Sequence, residues 1–386
     1  MRWNSREAFA VLVAAMLPLT GLTTSAAPVV QLGREAALSP STTCAERTLS
    51  RLTLAQRVGQ LFMVGVSTTP TSGQLDLISR YHLGAVLLAH DSDAGVAVTR
   101  SRVDLLQRAA TAGGVRLWVA ADQEGGFVQH LKGPGFSTIP TALTQGGWSP
   151  ATLRARAHTW GDQLNAAGVN LDLAPVADTV SAKLGTRNKP IGYYDREYGH
   201  TPGVVSSHAL AVRGGMKDAH VQTTAKHFPD LGRAIGNTDT TYGVTDDVTT
   251  RDGHYAVQPV RDLVDDGIPV VMISSARYTR IDATHLGPMS ATIMRGMLRH
   301  DLGFRGTIVS DSLNAVALSH VPEGVRALRF LRAGGDVALV GEPSTLAAML
   351  TTVLQNARSH SKHALVDDAV LQVLRSKARQ GLLPCS

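Results

Sequence analysis

Eight short apolar runs alternate with segments of helical length along this chain, and this alternation most constrains its fold. The runs lack an alternating polar pattern, so both faces of each strand are predicted to be buried, as in a parallel sheet. Each helical segment returns the chain across the sheet for the next parallel strand. The predicted strands are 60–66, 84–88, 115–120, 169–174, 221–225, 268–273, 307–309 and 336–340, and the predicted helices are 74–81, 97–112, 150–167, 202–217, 254–266, 291–301, 322–333 and 343–358.

Eight such units favour a single-domain α/β protein with a closed (β/α)8 barrel of the TIM type. The rival is an open doubly wound sheet, but no Gly-x-Gly-x-x-Gly motif follows an early strand. A final amphipathic segment, 364–381, is predicted to cover the outer wall of the barrel.

The first residues have the pattern of a secretory signal peptide, predicted to span 1–27. Arg2 and Arg6 precede an apolar stretch at 8–22, and small residues follow at 25–27. The stretch is shorter than the ~20 residues of a membrane-spanning helix, so we expect no membrane span in the mature chain. Residues 28–43 are predicted to be a flexible leader, and 44–386 the folded domain. The expected location is secreted, extracellular or associated with the cell wall.

The chain has two cysteines, Cys44 and Cys385, one near each end of the predicted mature protein. In an exported protein this arrangement predicts one disulfide that joins the termini, and the alternative is two unpaired thiols. The net charge is +6, but the basic residues are scattered along the chain. We therefore expect no nucleic-acid partner.

Polar and charged residues follow several of the predicted strands. The carboxyl ends of barrel strands meet at one face, where active sites lie, so these side chains are expected to converge. Taken singly, each could be a helix cap or a turn residue instead. Together they predict a pocket for a polyhydroxylated ligand. They are Asp122, Gln123 and Glu124, Asp178, Lys226 and His227, Ser274 and Ser275, and Asp311.

Six ordered motifs between about residues 52 and 382 resemble the signatures of glycoside hydrolase family 3, and most closely its single-barrel β-N-acetylglucosaminidase branch of bacterial cell-wall recycling. They are Asp122-Gln-Glu-Gly-Gly126, Ala174-Pro-Val-Ala-Asp178, Pro190-Ile-Gly192 with Asp195-Arg-Glu-Tyr-Gly199, Ala225-Lys-His-Phe-Pro229, Val271-Met-Ile-Ser274 and Val309-Ser-Asp-Ser312. The resemblance implies that Asp311 is the nucleophile of a retaining mechanism and that Asp122, Arg196, Lys226 and His227 hold sugar hydroxyls. It implies no metal and no organic cofactor.

The sequence departs from the family where an Asp-x-His dyad is expected to supply the acid/base. Asp239 stands at the aspartate, but Thr241 replaces the histidine. A threonine hydroxyl is too weak an acid to protonate a leaving group. Three explanations remain open: Asp239 is the acid, with a pKa raised by burial; Asp230 or Asp247 takes that role; or the protein binds sugar without efficient turnover.

Two further departures concern the sugar. Phe127 and, farther on, His130 stand where the family usually has arginines, and Ser274-Ser275 replaces a serine-histidine pair. We include His130 among the predicted substrate-binding residues.

The leading hypothesis is a secreted, monomeric, retaining β-glycosidase for terminal β-linked sugars, with N-acetylglucosaminides of cell-wall fragments as the expected substrate. The alternative is a catalytically weakened sugar-binding protein of the envelope. A metal-dependent barrel hydrolase is disfavoured because no His-x-His cluster follows a strand.

Overall fold

The computed structural model describes residues 40–359 and 363–385 of the 386-residue chain. The predicted signal peptide and most of the predicted leader lie outside these residues. Residues Ser39–Ser386 form one compact unit. Its first helix begins at Pro40, four residues before the predicted start of the domain at Cys44.

Eight parallel strands form the barrel, and each lies within or beside a predicted apolar run. They are β1 Phe62–Ser67, β2 Ala85–Ala89, β3 Trp118–Ala121, β4 Leu171–Asp172, β5 Gln222–Phe228, β6 Val270–Ile273, β7 Thr307–Ser310 and β8 Ala338–Val340. Strands β1 to β7 pair in chain order, and β8 lies beside β1.

Hydrogen bonds between β7 and the residues that precede β8 close the ring. Ser310 N donates to the Val337 carbonyl over 3.0 Å, and Val337 N donates to the Ile308 carbonyl over 3.0 Å. The strand residues are almost all buried, because the barrel interior lies on one side and the helices on the other. The predicted (β/α)8 barrel is thus confirmed.

The helices surround the barrel, and most of them overlap the predicted segments. They are α1 Pro40–Arg51, α2 Leu54–Gly59, α3 Ser72–Tyr81, α4 Gly95–Ala109, α5 Ala142–Gln145, α6 Pro150–Ala166, α7 Pro202–Asp218, α8 His254–Asp265, α9 Glu323–Ala333, α10 Leu346–Ala357 and α11 His363–Ala378. Helices α1, α2 and α5 were not predicted, and α1 begins within the predicted leader. The predicted helix at 291–301 is a π-helical segment, Thr292–Asp301, which ends with a bond from Leu302 N to the Met297 carbonyl. No helix in the described part of the chain is both long enough and apolar enough to cross a membrane.

The C-terminal helix ties the two ends of the domain together at the amino-terminal ends of the strands. Helix α11 packs against α1, and the Lys377 ammonium near its end donates to the carbonyls of Gly84 and Arg116, which precede β2 and β3. Cys44 and Cys385 form a disulfide with their Cα atoms 5.8 Å apart, as predicted. This end of the barrel is therefore braced, and the opposite end carries the loops with the candidate residues.

Candidate active site

A cavity of about 500 Å³ opens at the carboxyl ends of the barrel strands. Its volume is within the usual range for small-ligand pockets. All seven predicted catalytic and substrate-binding residues line it, although they come from five separate stretches of the chain. They are Asp122, His130, Arg196, Lys226, His227, Asp239 and Asp311.

A network of buried charges forms one wall of the cavity. The Lys226 ammonium lies 2.6 Å from a carboxylate oxygen of Asp122 and 2.6 Å from one of Glu124. The other partner of Glu124 is Arg196, whose Nε and Nη2 donate to its two oxygens over 2.8 and 2.7 Å. Arg196 is fixed further by a bond from Nη1 to the Pro190 carbonyl of 2.8 Å. Such paired, charge-assisted bonds hold both cations in single orientations.

The protonation of this network is set by its own charges rather than by burial. Burial raises the pKa of Glu124, but the positive charges of Arg196 and Lys226 outweigh it and lower the value to about 2. Burial lowers the pKa of Lys226, but Asp122 and Glu124 outweigh it and the net direction is upward. At neutral pH the wall therefore presents an ionised carboxylate between two cations, and the cations can donate to ligand oxygens.

His227 is oriented by a buried carboxylate behind it. Its Nδ1 lies 2.7 Å from Asp178, which is fully enclosed and also accepts from the backbone N–H groups of His227 and Leu231 over 3.2 and 2.6 Å. The Lys226–His227 peptide bond is cis. Because Asp178 engages Nδ1, the Nε2 atom of His227 is the ring nitrogen left for a ligand in the cavity.

Asp311 follows the last residue of β7 and lies half-buried in the cavity wall. Its backbone N–H donates to the Ile273 carbonyl over 3.0 Å, and its Oδ1 accepts from Ser312 N over 2.8 Å. The next helical turn, Val316–Leu318, begins with Ala315 at its cap position. Asp311 is therefore not the cap of a following helix, which was the alternative to a functional role.

Asp239 lies on the loop after β5, and hydrogen bonds attach this loop to the one after β7. Val316 N and Ala317 N donate to the carbonyls of Asp239 and Thr238 over 3.4 and 3.0 Å. Crowding by protein atoms desolvates the Asp239 carboxyl and the Asp311 carboxylate repels its charge, and together they raise the pKa of Asp239 to about 6.

Thr241, Asp230 and Asp247 do not line the cavity. Thr241 is exposed on the outer part of the loop, and Asp247 is exposed beyond it. Asp230 is buried and accepts from Thr179 N over 3.0 Å, and burial together with the nearby Asp178 raises its pKa well above the usual range. Of the three candidate general acids, Asp230, Asp239 and Asp247, only Asp239 lines the cavity that contains Asp311.

The serines after β6 also differ from their predicted position. Ser274 and Ser275 are completely buried and do not line the cavity. His130 does line it, with Nδ1 2.7 Å from the exposed carboxylate of Asp91.

Sequence reasoning placed Glu124 among the converging residues without a specific role, and it did not consider Glu342 or Asp172, which the structure also places in or beneath the site. Glu124 joins Lys226 to Arg196, and its presence in the same motif as Asp122 was a usable signal. Glu342 lines the cavity after β8, a strand end that gave no motif. Asp172, at the end of β4, is fully buried, and burial raises its pKa to about 7.

Within residues 40–359 and 363–385, no three or more His, Cys, Asp or Glu side chains are grouped so that they could hold a metal ion.

Comparisons with known proteins agree with this architecture. Residues 53–376 match the model of the glycosyl hydrolase family 3 N terminal domain. The chain is 30% identical over 337 residues to the beta-hexosaminidase LpqI of Mycobacterium tuberculosis, with 83% of this chain and 82% of that protein covered. It is 31% identical over 286 residues to a beta-hexosaminidase of Stenotrophomonas maltophilia, covering 69% and 81% of the two chains.

Among solved structures, the beta-N-acetylhexosaminidase from Beutenbergia cavernae superimposes with a TM-score of 0.82 and 46% identity, covering 84% of this chain and 98% of that one. The family model covers most of the chain, and the relatives are matched over most of their length. The chain therefore belongs to glycoside hydrolase family 3 and is a glycosidase.

Proposed function

We propose that this protein is an exported, retaining β-N-acetylglucosaminidase that removes terminal β-linked N-acetylglucosamine from cell-wall fragments. Asp311 is the nucleophile and Asp239 the acid/base. The observation that carries the proposal is that both carboxyl groups share one cavity with the buried Lys226 and the partly buried Arg196. The substrate class is supported by the hexosaminidases that this chain resembles.

The raised pKa of Asp239 supports separate catalytic roles for Asp239 and Asp311. An acid must hold a proton when the substrate binds, whereas a nucleophile must be ionised. Desolvation of its carboxyl group, together with repulsion by the Asp311 carboxylate, raises the pKa of Asp239 to about 6 and so favours a proton on it below that pH. Two carboxyl groups in one site, one of them with a raised pKa, form the usual arrangement for glycoside hydrolysis.

In the first step the Asp311 carboxylate attacks C1 of the sugar, the C1–O bond to the leaving group breaks, and Asp239 gives its proton to the departing oxygen. In the second step a water molecule gives a proton to Asp239 while its oxygen attacks C1, and Asp311 leaves as a carboxylate. Each step inverts C1, so the β configuration is retained overall.

The charged wall serves to bind and orient the terminal sugar. Lys226 and Arg196 donate to hydroxyl oxygens, Asp122 accepts from hydroxyl groups, and His227 offers Nε2. His130 is proposed to bind sugar at the cavity edge. Because the paired carboxylates fix these groups before the substrate arrives, little reorganisation accompanies the charge that develops at C1.

Export and a monomeric state are part of the proposal. Residues 1–27 carry the signal-peptide pattern. The Cys44–Cys385 disulfide supports export, because structural disulfides persist mainly in oxidising compartments.

The proposal is tested with the purified mature protein and a set of 4-nitrophenyl β-glycosides, including the N-acetylglucosaminide. We expect nitrophenol release from the N-acetylglucosaminide and none from an Asp311→Ala control. A 5-fluoro β-N-acetylglucosaminyl fluoride should trap a covalent adduct that peptide mass spectrometry locates at Asp311. Release by the Asp311→Ala variant at the wild-type rate, or a protein that binds the sugar but forms no adduct, would contradict the proposal.

A further inference from the structure

The exposed aromatic side chains are confined to one end of the barrel. Phe127, Tyr193 and Tyr242 are 70%, 51% and 64% exposed. Every other Phe, Tyr and Trp in the described part of the chain is buried or half-buried. They lie on the loops after β3, β4 and β5, which are the loops that build the catalytic cavity. Exposed apolar surface gathered at one place usually marks a binding surface.

Two of these rings belong to a cluster that we call the aromatic platform: Phe127, Tyr193 and Tyr194. Phe127 and Tyr194 meet edge to face with their centroids 5.9 Å apart, and Tyr194 meets Tyr193 in the same way at 5.0 Å. The ammonium of Lys189 lies 4.0 Å from the centroid of the Tyr193 ring. Tyr194 is therefore the central support, and Phe127 is the ring with most surface left for a ligand.

The platform residues do not line the cavity themselves, but their neighbours in the chain do. Val128, the residue after Phe127, lines the cavity, and so do Pro190 and Arg196, which flank the two tyrosines. Phe127 is held at the tip of a hairpin formed by Gln123–Gly125 and Val128–Gln129. The turn is anchored by a 2.8 Å bond from Gly126 N to the Ile139 carbonyl.

The chemistry of the platform differs from that of the cavity. The cavity wall offers charged donors and acceptors, which suit the hydroxyl groups of one sugar, whereas the platform offers apolar ring surface. A pyranose has an apolar face made of its C–H bonds, and large rigid aromatic rings bind such faces at low entropic cost. The ammonium of Lys189 lies against the Tyr193 ring at the border of this apolar surface. A saccharide that presents its apolar ring face therefore fits the platform.

We propose that the aromatic platform binds the sugar ring on the leaving-group side of the scissile bond, with Phe127 as its main contact, so that the preferred substrates are β-linked oligosaccharides rather than glycosides with small leaving groups. This inference rests on the proposed function, because it takes the charged cavity as the site of the terminal sugar.

The test compares two substrates that share the terminal sugar. N-acetyl-β-glucosaminyl fluoride has no ring beyond C1, whereas the β-1,4-linked trisaccharide of N-acetylglucosamine places a second ring at the platform. In Phe127→Ala we expect kcat/KM for the trisaccharide to fall about five- to twentyfold, mainly through KM, and that for the fluoride to stay within about twofold. Phe127→Tyr keeps an aromatic ring at this position, so its kcat/KM for the trisaccharide should equal that of the wild type.

Leu105→Ala is the matched control, because Leu105 is a 40% exposed apolar residue on α4, remote from the cavity. It should leave both substrates unchanged. An equal loss of kcat/KM for both substrates in Phe127→Ala, or no loss for the trisaccharide, would overturn the assignment of the platform as a sugar-binding surface. A change in oligomeric mass by light scattering on removing Phe127 would assign the surface to a second copy of the chain, and would overturn it too.

Failure of the proposed function gives a different result. If the wild-type protein cleaves neither substrate, the affinities for the trisaccharide and for N-acetylglucosamine, measured by calorimetry, still show whether the platform contributes to binding. Weaker trisaccharide binding by Phe127→Ala, with unchanged binding of the monosaccharide, supports the inference, and equal trisaccharide affinity refutes it.

Discussion

Replacing Asp239 by asparagine removes the proposed proton donor and retains its shape. The backbone bonds that attach its loop to residues 316 and 317 do not involve the side chain, so the fold of the loop should persist. A substrate with a poor leaving group, such as a disaccharide, needs the proton in the transition state. General acid catalysis is typically worth about 10²–10⁴-fold, so we expect the kcat/KM for the disaccharide to fall by that factor.

The pH dependence makes the prediction specific. With a pKa of about 6, Asp239 is about nine-tenths protonated at pH 5 and about one-tenth at pH 7. For the disaccharide, the wild-type kcat/KM should therefore fall about tenfold from pH 5 to pH 7, and in Asp239→Asn this fall should vanish. The fluoride substrate has a leaving group that needs no proton, so its kcat/KM should show no loss centred near pH 6.

The assay is initial-rate hydrolysis of both substrates at about six pH values between about 4.5 and 8.5, a range that spans the ionisation of the proposed acid. The matched control is Asp247→Asn, which alters an exposed carboxylate close by in sequence that does not line the cavity. Azide added to Asp239→Asn should form the β-glycosyl azide, since the small anion reaches the covalent intermediate without general-base help. A disaccharide rate within twofold of wild type, or an unchanged pH profile, would refute the assignment of Asp239.

Three further predictions concern other parts of the molecule. Asp311→Asn should lower kcat by at least about 10³-fold on all substrates, while calorimetry finds sugar binding within about threefold of wild type, because the binding wall is intact; loss of binding in a folded variant would argue against the nucleophile role. Glu124→Gln leaves Lys226 and Arg196 short of negative charge in a buried site, and urea unfolding should show a loss of about 3 kcal/mol or more; a loss below about 1 kcal/mol would show that Asp122 alone balances these cations. Cys385→Ser opens a loop of 341 residues and should lower the free energy of unfolding by up to about 5 kcal/mol without changing kcat/KM, because the disulfide lies at the amino-terminal ends of the strands; an altered kcat/KM would show coupling between the two ends of the barrel.

Much of the site was predictable because a closed parallel barrel gathers strand ends at one face. Asp122, Lys226, His227 and Asp311 each stand one or two residues after a predicted apolar run, so their convergence follows from the closed parallel barrel. Arg196 lies far beyond the end of β4, and it was assigned only through the resemblance to the family. Its side chain reaches the cavity because Glu124 holds it there.

Other site features depend on contacts that no local pattern records. Ser274 and Ser275 follow the predicted run 268–273 as Lys226 and His227 follow 221–225, yet only Lys226 and His227 line the cavity. Strand β5 continues through Phe228 and so includes Lys226 and His227, whereas β6 ends at Ile273. Asp230 pairs with Thr179 from another loop and does not line the cavity.

The amino-acid sequence by itself determined the number and order of the strands, the face on which the polar residues gather and the pairing of the two cysteines, because each depends on periodicity or on residue type at fixed spacing. Only the tertiary structure decided which of the three candidate acids lines the cavity that contains Asp311, how Glu124 links two cations, and where exposed aromatic rings lie near the site. Those outcomes depend on distances between residues remote in the chain, and such distances are set by packing, charge and desolvation in the folded protein.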